Sequence, residues 1–284
     1  MEITLDLIKE LRNKTGAGIA DCKKALVEND GDIQKAVEAL RKKGAATALK
    51  RADKITNEGA VKSKISDDRK YGAIIELTCE TDFVSRGNDF QTLSDRVAEA
   101  AFNAKTNDVE KVMAAMTSNK LSVKEDIDSV VSSVAEKVEL RRVATMECPD
   151  GFICEYIHFG SKLGSLVAIK GKLTPESEAL GKSIAMQVVA MSPMAIDRKG
   201  ISDEVMAKEK EIYLEAAKNE GKKADIAERI TSNKVEKFYQ DNCLIEQESI
   251  KESGRSVQDL MNDYKKSSGE TLEVVDMIRF HIGG

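Results

Sequence analysis

The sequence predicts an α+β protein. Two stretches, 59–104 and 151–192, each read as strand, hairpin, strand and helix, while apolar residues elsewhere recur at helical spacing. Composition agrees: only three Pro in 284 residues, with 33% charged side chains and abundant Ala, Lys and Glu. The 44 basic and 49 acidic residues leave a net charge of −5. That balance argues against a general nucleic-acid binder, which needs clustered cations to release counterions. No run approaches the roughly 18 apolar residues of a membrane span, and the N-terminal text lacks a signal-peptide core, so a cytoplasmic location is expected. The five cysteines form no CxxC pair and the two histidines lie far apart, so they are expected to be free thiols without a metal site.

Residues 1–45 read as three short helices. Ile3, Leu7, Ile8 and Leu11 form the first stripe, and Thr15 to Gly18 break it. Ile19, Cys22 and Leu26 form the second. Asn29 to Asp32 make a turn, and Ile33, Val37 and Leu40 form the third stripe, which Gly44 is expected to stop. Residues 46–58 carry Lys50, Arg51 and Lys54 and read as a solvated linker, the alternative being a dock for an acidic surface. From Gly59 the period becomes two: Val61 to Ile65, a turn at Asp67 to Lys70, and a second, apolar strand from Tyr71 to Thr78. A helix follows with Phe90, Leu93, Val97 and Ala101 inward. Residues 108–140 look helical, Ile127, Val131, Val134 and Val138 giving the stripe, and Leu140 to Cys148 could return as a strand.

The same grammar then repeats. Phe152 to His158 and Leu166 to Leu173 are strands around a turn at Gly160 to Gly164, and Pro175 opens a helix lined by Leu180, Ile184, Val188 and Met191. This is the signature of an internal duplication. Asp203 to Asn219 and Ala224 to Tyr239 form an antiparallel helical hairpin with a thin stripe: Ile212, Leu214 and Ala216 against Ile226, Ile230, Val235 and Phe238. Such an arm is either a surface insertion or a device for binding, and both readings stand on sequence. The tail adds a helix near 257–266 and a strand near 272–282.

No catalytic constellation emerges. The phosphate loop GxxxxGK[ST], GxGxxG, HExxH and GxSxG are all absent. Cys79 and His158 could in principle pair as nucleophile and base, but Cys79 sits in an apolar strand with nothing to activate it. A binding protein is therefore expected, not an enzyme. The most unusual text runs from Glu76 to Arg86. Were the strand to continue, Phe83 would share a face with Leu77 and Cys79 and be core, the reading that pattern alone favours. Were the chain to turn, Phe83 would project as an anchor, and Asp82 could serve as N-cap of the next helix.

Leu11 to Leu26, LRNKTGAGIADCKKAL, resembles the N-terminal signature of the bacterial elongation factor Ts family, and Glu76 to Arg86, ELTCETDFVSR, is similar to its second signature, with Thr78 in place of the usual Asn. Leu140 to Val143, Tyr156 to His158, Phe238-Tyr239 and Ile278 to Phe280 fit as well, so the resemblance runs the length of the chain in order. It implies an N-terminal ubiquitin-associated-like three-helix module at 1–45, a linker at 46–58 and a duplicated antiparallel α+β core. The core's halves are 59–140 and 141–201, with an inserted antiparallel helical hairpin at 202–239 and the end of the core with a C-terminal module at 240–284. It implies a guanine-nucleotide exchange factor that needs no cofactor and binds elongation factor Tu in its GDP-bound and nucleotide-free forms, with no direct contact to nucleic acid or membrane. Thr81, Asp82, Phe83 and Val84 are implied to disturb the partner's magnesium site. The N-terminal module, with Lys23 and Lys24 on its second helix, is implied to dock on the partner's nucleotide domain, Arg12 and Ile19 to bind the partner as well, and His158 to touch its third domain. In some members the arm makes dimer contacts, which would here involve 202–239. A non-catalytic adaptor, binding without releasing nucleotide, is the rival reading.

Overall fold

A computed structural model describes residues 3–283. Met1, Glu2 and Gly284, the outermost positions of the first and last predicted segments, lie outside them. The first three helices are α1 (Leu5–Thr15), α2 (Ile19–Glu28) and α3 (Ile33–Lys50). Thr4 caps α1, accepting from the Leu7 amide, and Gly16 ends it at φ 68°, a left-handed position that costs glycine little. Asp32 caps α3 through the Gln34 and Lys35 amides. Ile8, Leu11, Cys22, Leu26, Ala36 and Leu40 meet in a small aliphatic core.

The expected stop at Gly44 does not occur: α3 runs on to Lys50, so the first part of the supposed linker is helical. Gly44 has a different task. A Cβ there would lie 2.7 Å from the Asp128 carbonyl oxygen on the helix named α7 below. The glycine lets two helices touch backbone to backbone, and so docks the module onto the rest of the chain. Arg41 with Glu125 at 3.4 Å and the Ser129 hydroxyl donating to the Thr15 carbonyl at 2.5 Å flank the contact.

The remaining chain is two versions of one unit. The first has β1 (Glu58–Ile65), β2 (Tyr71–Cys79), a one-turn helix α4 (Asp82–Arg86), α5 (Asn88–Ala104), α6 (Val109–Ala114), α7 (Val123–Val134) and β3 (Val138–Glu147). The second has β4 (Gly151–Ile157), β5 (Leu163–Lys170), α8 (Pro175–Met191), α9 (Asp203–Asn219), α10 (Ala224–Asn242), α11 (Val257–Ser268) and β6 (Glu273–His281). Each sheet is antiparallel in chain order, β1-β2-β3 and β4-β5-β6. Each central strand carries one bulge against its third strand, at Glu76/Leu77 and at Ala168/Ile169. The tail strand is thus the third strand of the second sheet, returning after the arm. The repeat is one strand longer than the two stretches in which the sequence showed it.

Helices cover only one face of each sheet. Ala73, Ile75, Leu77 and Leu140 face α5 and α7, while Phe152, Cys154, Val167 and Ile169 face α8 and α11. The other faces meet: Val61, Ile74 and Met146 pack on Ile153, Leu166, Ala168 and Phe280. The result is four layers, helix on sheet on sheet on helix. The arm, α9 and α10, stands off the second unit. Its inner stripe differs from the expectation: Ile212 and Ile226 are exposed, and Ala217 and Ala227 close the helices together instead. Arg198 pins its base between Glu236 and Glu246, 4.4 Å over the Tyr239 ring. Among the described residues no helix is long and apolar enough to cross a membrane.

Gly44→Ala tests the docking. On an isolated helix the change favours folding by roughly 1 kcal/mol. Here the new methyl meets a carbonyl oxygen that cannot swing away, so the module is expected to detach. Small-angle scattering should report a larger radius of gyration, with the unfolding midpoint of the β-sheet core unchanged.

Candidate functional site

The strand β2 is buried from Gly72 to Cys79, and the chain leaves it by turning at Glu80. The turn is forced by hydrogen bonds to a distant loop. The Thr81 amide and hydroxyl both donate to the Glu136 carboxylate, at 3.0 and 2.7 Å. Beside it the Lys137 amide donates to Glu80 at 2.6 Å. Arg51, just past α3, donates to the Ala135 carbonyl at 2.5 Å and lies 3.5 Å from Glu80. Arg51 is therefore a tie between module and core, not the solvated cation of the linker reading.

Held there, Thr81 caps α4, its hydroxyl accepting from the Val84 amide. Asp82 is the first residue of the helix, so the N-cap role considered for it belongs to Thr81. The far end is fixed too: Ser85 is buried with its hydroxyl on the Asp82 carbonyl at 3.0 Å, and the Gln91 side-chain Nε2 donates to the Ser85 carbonyl at 2.6 Å. Val84 packs against the first core. Phe83 points the other way and is 85% exposed, so the core placement that pattern favoured is wrong. The strand ends before Phe83, and the helical period replaces the alternation that would have turned it inward. Asp82 pairs with Arg86 at 3.1 Å. The site is a rigid one-turn helix presenting an aromatic ring beside a carboxylate.

Such an arrangement offers shape and charge to a binding surface, not a reactive group. The neighbouring Cys79 thiol is fully buried, and burial first, then the charges of Glu136 and Glu58, push it up from 9.0 to about 12. Such a thiol stays protonated and is no nucleophile. His158 is solvent-exposed at the end of β4, its Nδ1 2.9 Å from the Tyr156 hydroxyl.

The other candidates lie on the module. Arg12, Ile19, Lys23 and Lys24 are exposed, Ile19 and Lys23 one turn apart on the outer face of α2, and Lys24 3.8 Å from Glu28. They belong to a different unit from Thr81 to Val84, though Asn13, next to Arg12, lines one cleft with Asn88 and Asp89 just beyond α4. The hairpin of His158 does share the end of the core where α4 sits: the Val61 amide donates to the Ser161 carbonyl at 2.6 Å, and Lys162 pairs at 2.7 Å with Glu58, the register partner of Cys79. Sequence reasoning missed Glu136, 55 positions from Thr81 with no local pattern to mark it. It also passed over Phe159, next to His158, which is 97% exposed.

Known proteins sharpen the picture. A family model described as Elongation factor TS matches residues 80–284. The chain is similar to proteins called elongation factor Ts from Chlorobium phaeobacteroides at 41% identity, Prosthecochloris aestuarii at 40% and Chloroherpeton thalassium at 39%. In each case the match covers 99% of both chains.

Two outcomes are expected. Glu136→Ala removes both restraints on Thr81, and hydrogen bonds to a charged acceptor are worth about 1.5–3 kcal/mol. Amide exchange of Thr81 and Val84 should speed up about ten-fold or more, with protection across β2 retained. Second, above pH 9 an unfolded Cys79 gives up its proton while the folded one keeps it. The folded state then holds more protons, so stability must fall as pH rises from about 9 toward 12. Urea titrations should show that decline, and Cys79→Ala should make it shallower.

Proposed function

The chain belongs to the elongation factor Ts family, and on that premise we propose that it is the guanine-nucleotide exchange factor of an elongation factor Tu in the cytoplasm. The observation that carries the mechanism is the 85% exposure of Phe83 on a helix fixed at both ends. Leaving a phenylalanine in water forgoes roughly 2 kcal/mol that burial would return. A fold that builds two ties to keep it there is using it elsewhere.

In this reading α4 enters the partner near its magnesium ion. The ring displaces the elements around the ion, and the Asp82 carboxylate adds negative charge beside the phosphates. A divalent ion is the largest local charge at such a phosphate site, so loosening it loosens GDP. No bond is made or broken, and the protein acts by binding the nucleotide-free partner more tightly than the GDP-bound one. Linkage then makes nucleotide and exchange factor weaken each other by the same factor. Arg12, Ile19, Lys23 and Lys24 dock the module on the partner's nucleotide domain, and His158 meets its third domain. The module and α4 act together because Arg51 joins them.

The test is release of a fluorescent GDP from elongation factor Tu with the chain at rising concentration. The rate should climb to a plateau. Phe83→Ala and Asp82→Ala should each lower the plateau by about ten-fold, some 1.4 kcal/mol of lost destabilisation. Both variants folded and running at the full plateau would remove the wedge assignment. Saturable binding with no acceleration by the parent chain would mark an adaptor instead.

A further inference from the structure

The four most exposed large apolar side chains among the described residues are Phe159 at 97%, Phe83 at 85%, Leu49 at 78% and Ile55 at 77%. They come from four separate segments of the sequence: the β4–β5 hairpin, α4, the last turn of α3 and the stretch before β1. Those segments are bonded to one another at a single end of the core. Arg51 ties the end of α3 to Glu80 and Ala135. Thr56, buried beside Ile55, accepts from the Thr78 hydroxyl at 2.9 Å, and Glu58 pairs in register with Cys79. Glu58 in turn holds Lys162 at 2.7 Å, and the Ser161 carbonyl takes the Val61 amide. Scattered apolar residues are ordinary on a protein surface, but the four largest exposures gathered on one cross-linked edge are not.

We propose that Leu49, Ile55 and Phe159 form, with Phe83, a continuous docking edge for the guanine-nucleotide-binding partner, in which these three supply affinity and Phe83 supplies exchange. This rests on the function proposed above. The occupant follows from continuity: whatever receives Phe83 must approach this end of the core, and it then covers the flanking segments. The division of labour follows from placement. Phe159 stands on the other sheet's hairpin, so it reaches the partner at a second point, away from the phosphates. A side chain that contacts the bound and nucleotide-free partner equally stabilises both complexes and leaves the plateau rate alone.

The experiment pairs two readouts on the full chain. One is the Kd for labelled, nucleotide-free elongation factor Tu, and the other is the plateau rate of GDP release. Ile55→Ser and Phe159→Ser, surface changes whose folding circular dichroism can verify, should each raise the Kd about ten-fold. Their plateau rates should stay within about two-fold of the parent. Leu49→Ser should shift the Kd in the same direction. An unchanged Kd for both Ile55→Ser and Phe159→Ser overturns the edge, as does a lowered plateau at unchanged Kd. Self-association of the chain alone, lost in these variants, would name a second copy as the occupant and overturn it too. If the parent binds tightly without speeding release, the exchange reading fails while the Kd values still judge the edge. No binding by the parent removes both.

Discussion

Each sheet in this protein has two apolar faces, and its own helices cover only one of them. That constraint organises everything else. A three-stranded sheet with one naked apolar face is not stable alone in water, so each unit needs a partner surface of matching shape. Duplication supplies one. Val61, Ile74 and Met146 from one unit meet Ile153, Leu166, Ala168 and Phe280 from the other, and both become central layers. Close approach is built in: a Cβ on Gly164 would lie 2.7 Å from a methyl of Val61 on the facing sheet. Glu76 sharpens the fit. Its carboxylate is fully buried and bonded to Arg142, which also donates to the His281 carbonyl at 3.0 Å and lies 4.4 Å over the Phe280 ring. A buried ion pair of this kind contributes little net stability once desolvation is counted, but it disfavours any register in which the charges would part.

The sheet packing also places the surface features. With the sheets fixed face to face, the end of β2, the start of β1 and the β4–β5 hairpin fall at one end of the sandwich. The module reaches the same end because α3 runs six residues past Gly44 before Arg51 ties it down. The wedge helix, the hairpin of His158 and the end of the module are then one rigid surface drawn from residues more than 100 positions apart.

Much of this was legible in the sequence, and the failures have physical causes. Alternation marked β1, short apolar runs between turn signals marked β2, β4 and β5, and the helical spacing with its break marked the arm almost to the residue, since all of these are local patterns. Gly44 misled because a glycine that ends a helix and one that admits a neighbouring helix look alike in one dimension. The membership of β6 in the second sheet was hidden by the arm that intervenes. Phe83 was ambiguous for a sharper reason. Its orientation depends on where β2 ends, and that is decided by Glu136, a residue distant in sequence that offers the Thr81 amide an acceptor the ladder would otherwise have provided. The resemblance to a known signature pointed to an exposed Phe83 before any periodicity could.

In the proposed mechanism, the rigidity of α4 follows from the energetics of exchange. A flexible loop carrying Phe83 would have to be ordered on binding, at about 1–2 kcal/mol per residue of backbone entropy. Over the five residues of α4 that cost, about 5–10 kcal/mol, would exceed the roughly 2 kcal/mol a buried aromatic returns. It would fall on the nucleotide-free complex, the one state the factor has to favour. With Thr81, Ser85 and Gln91 holding the helix in advance, the ordering is complete before a partner arrives, and in the proposed mechanism the interaction energy is free to act on the nucleotide site. The same reasoning accounts for Glu136 and Arg51. Neither needs to touch the partner, yet each makes the difference between an aromatic side chain on a surface and one that can be driven into another protein.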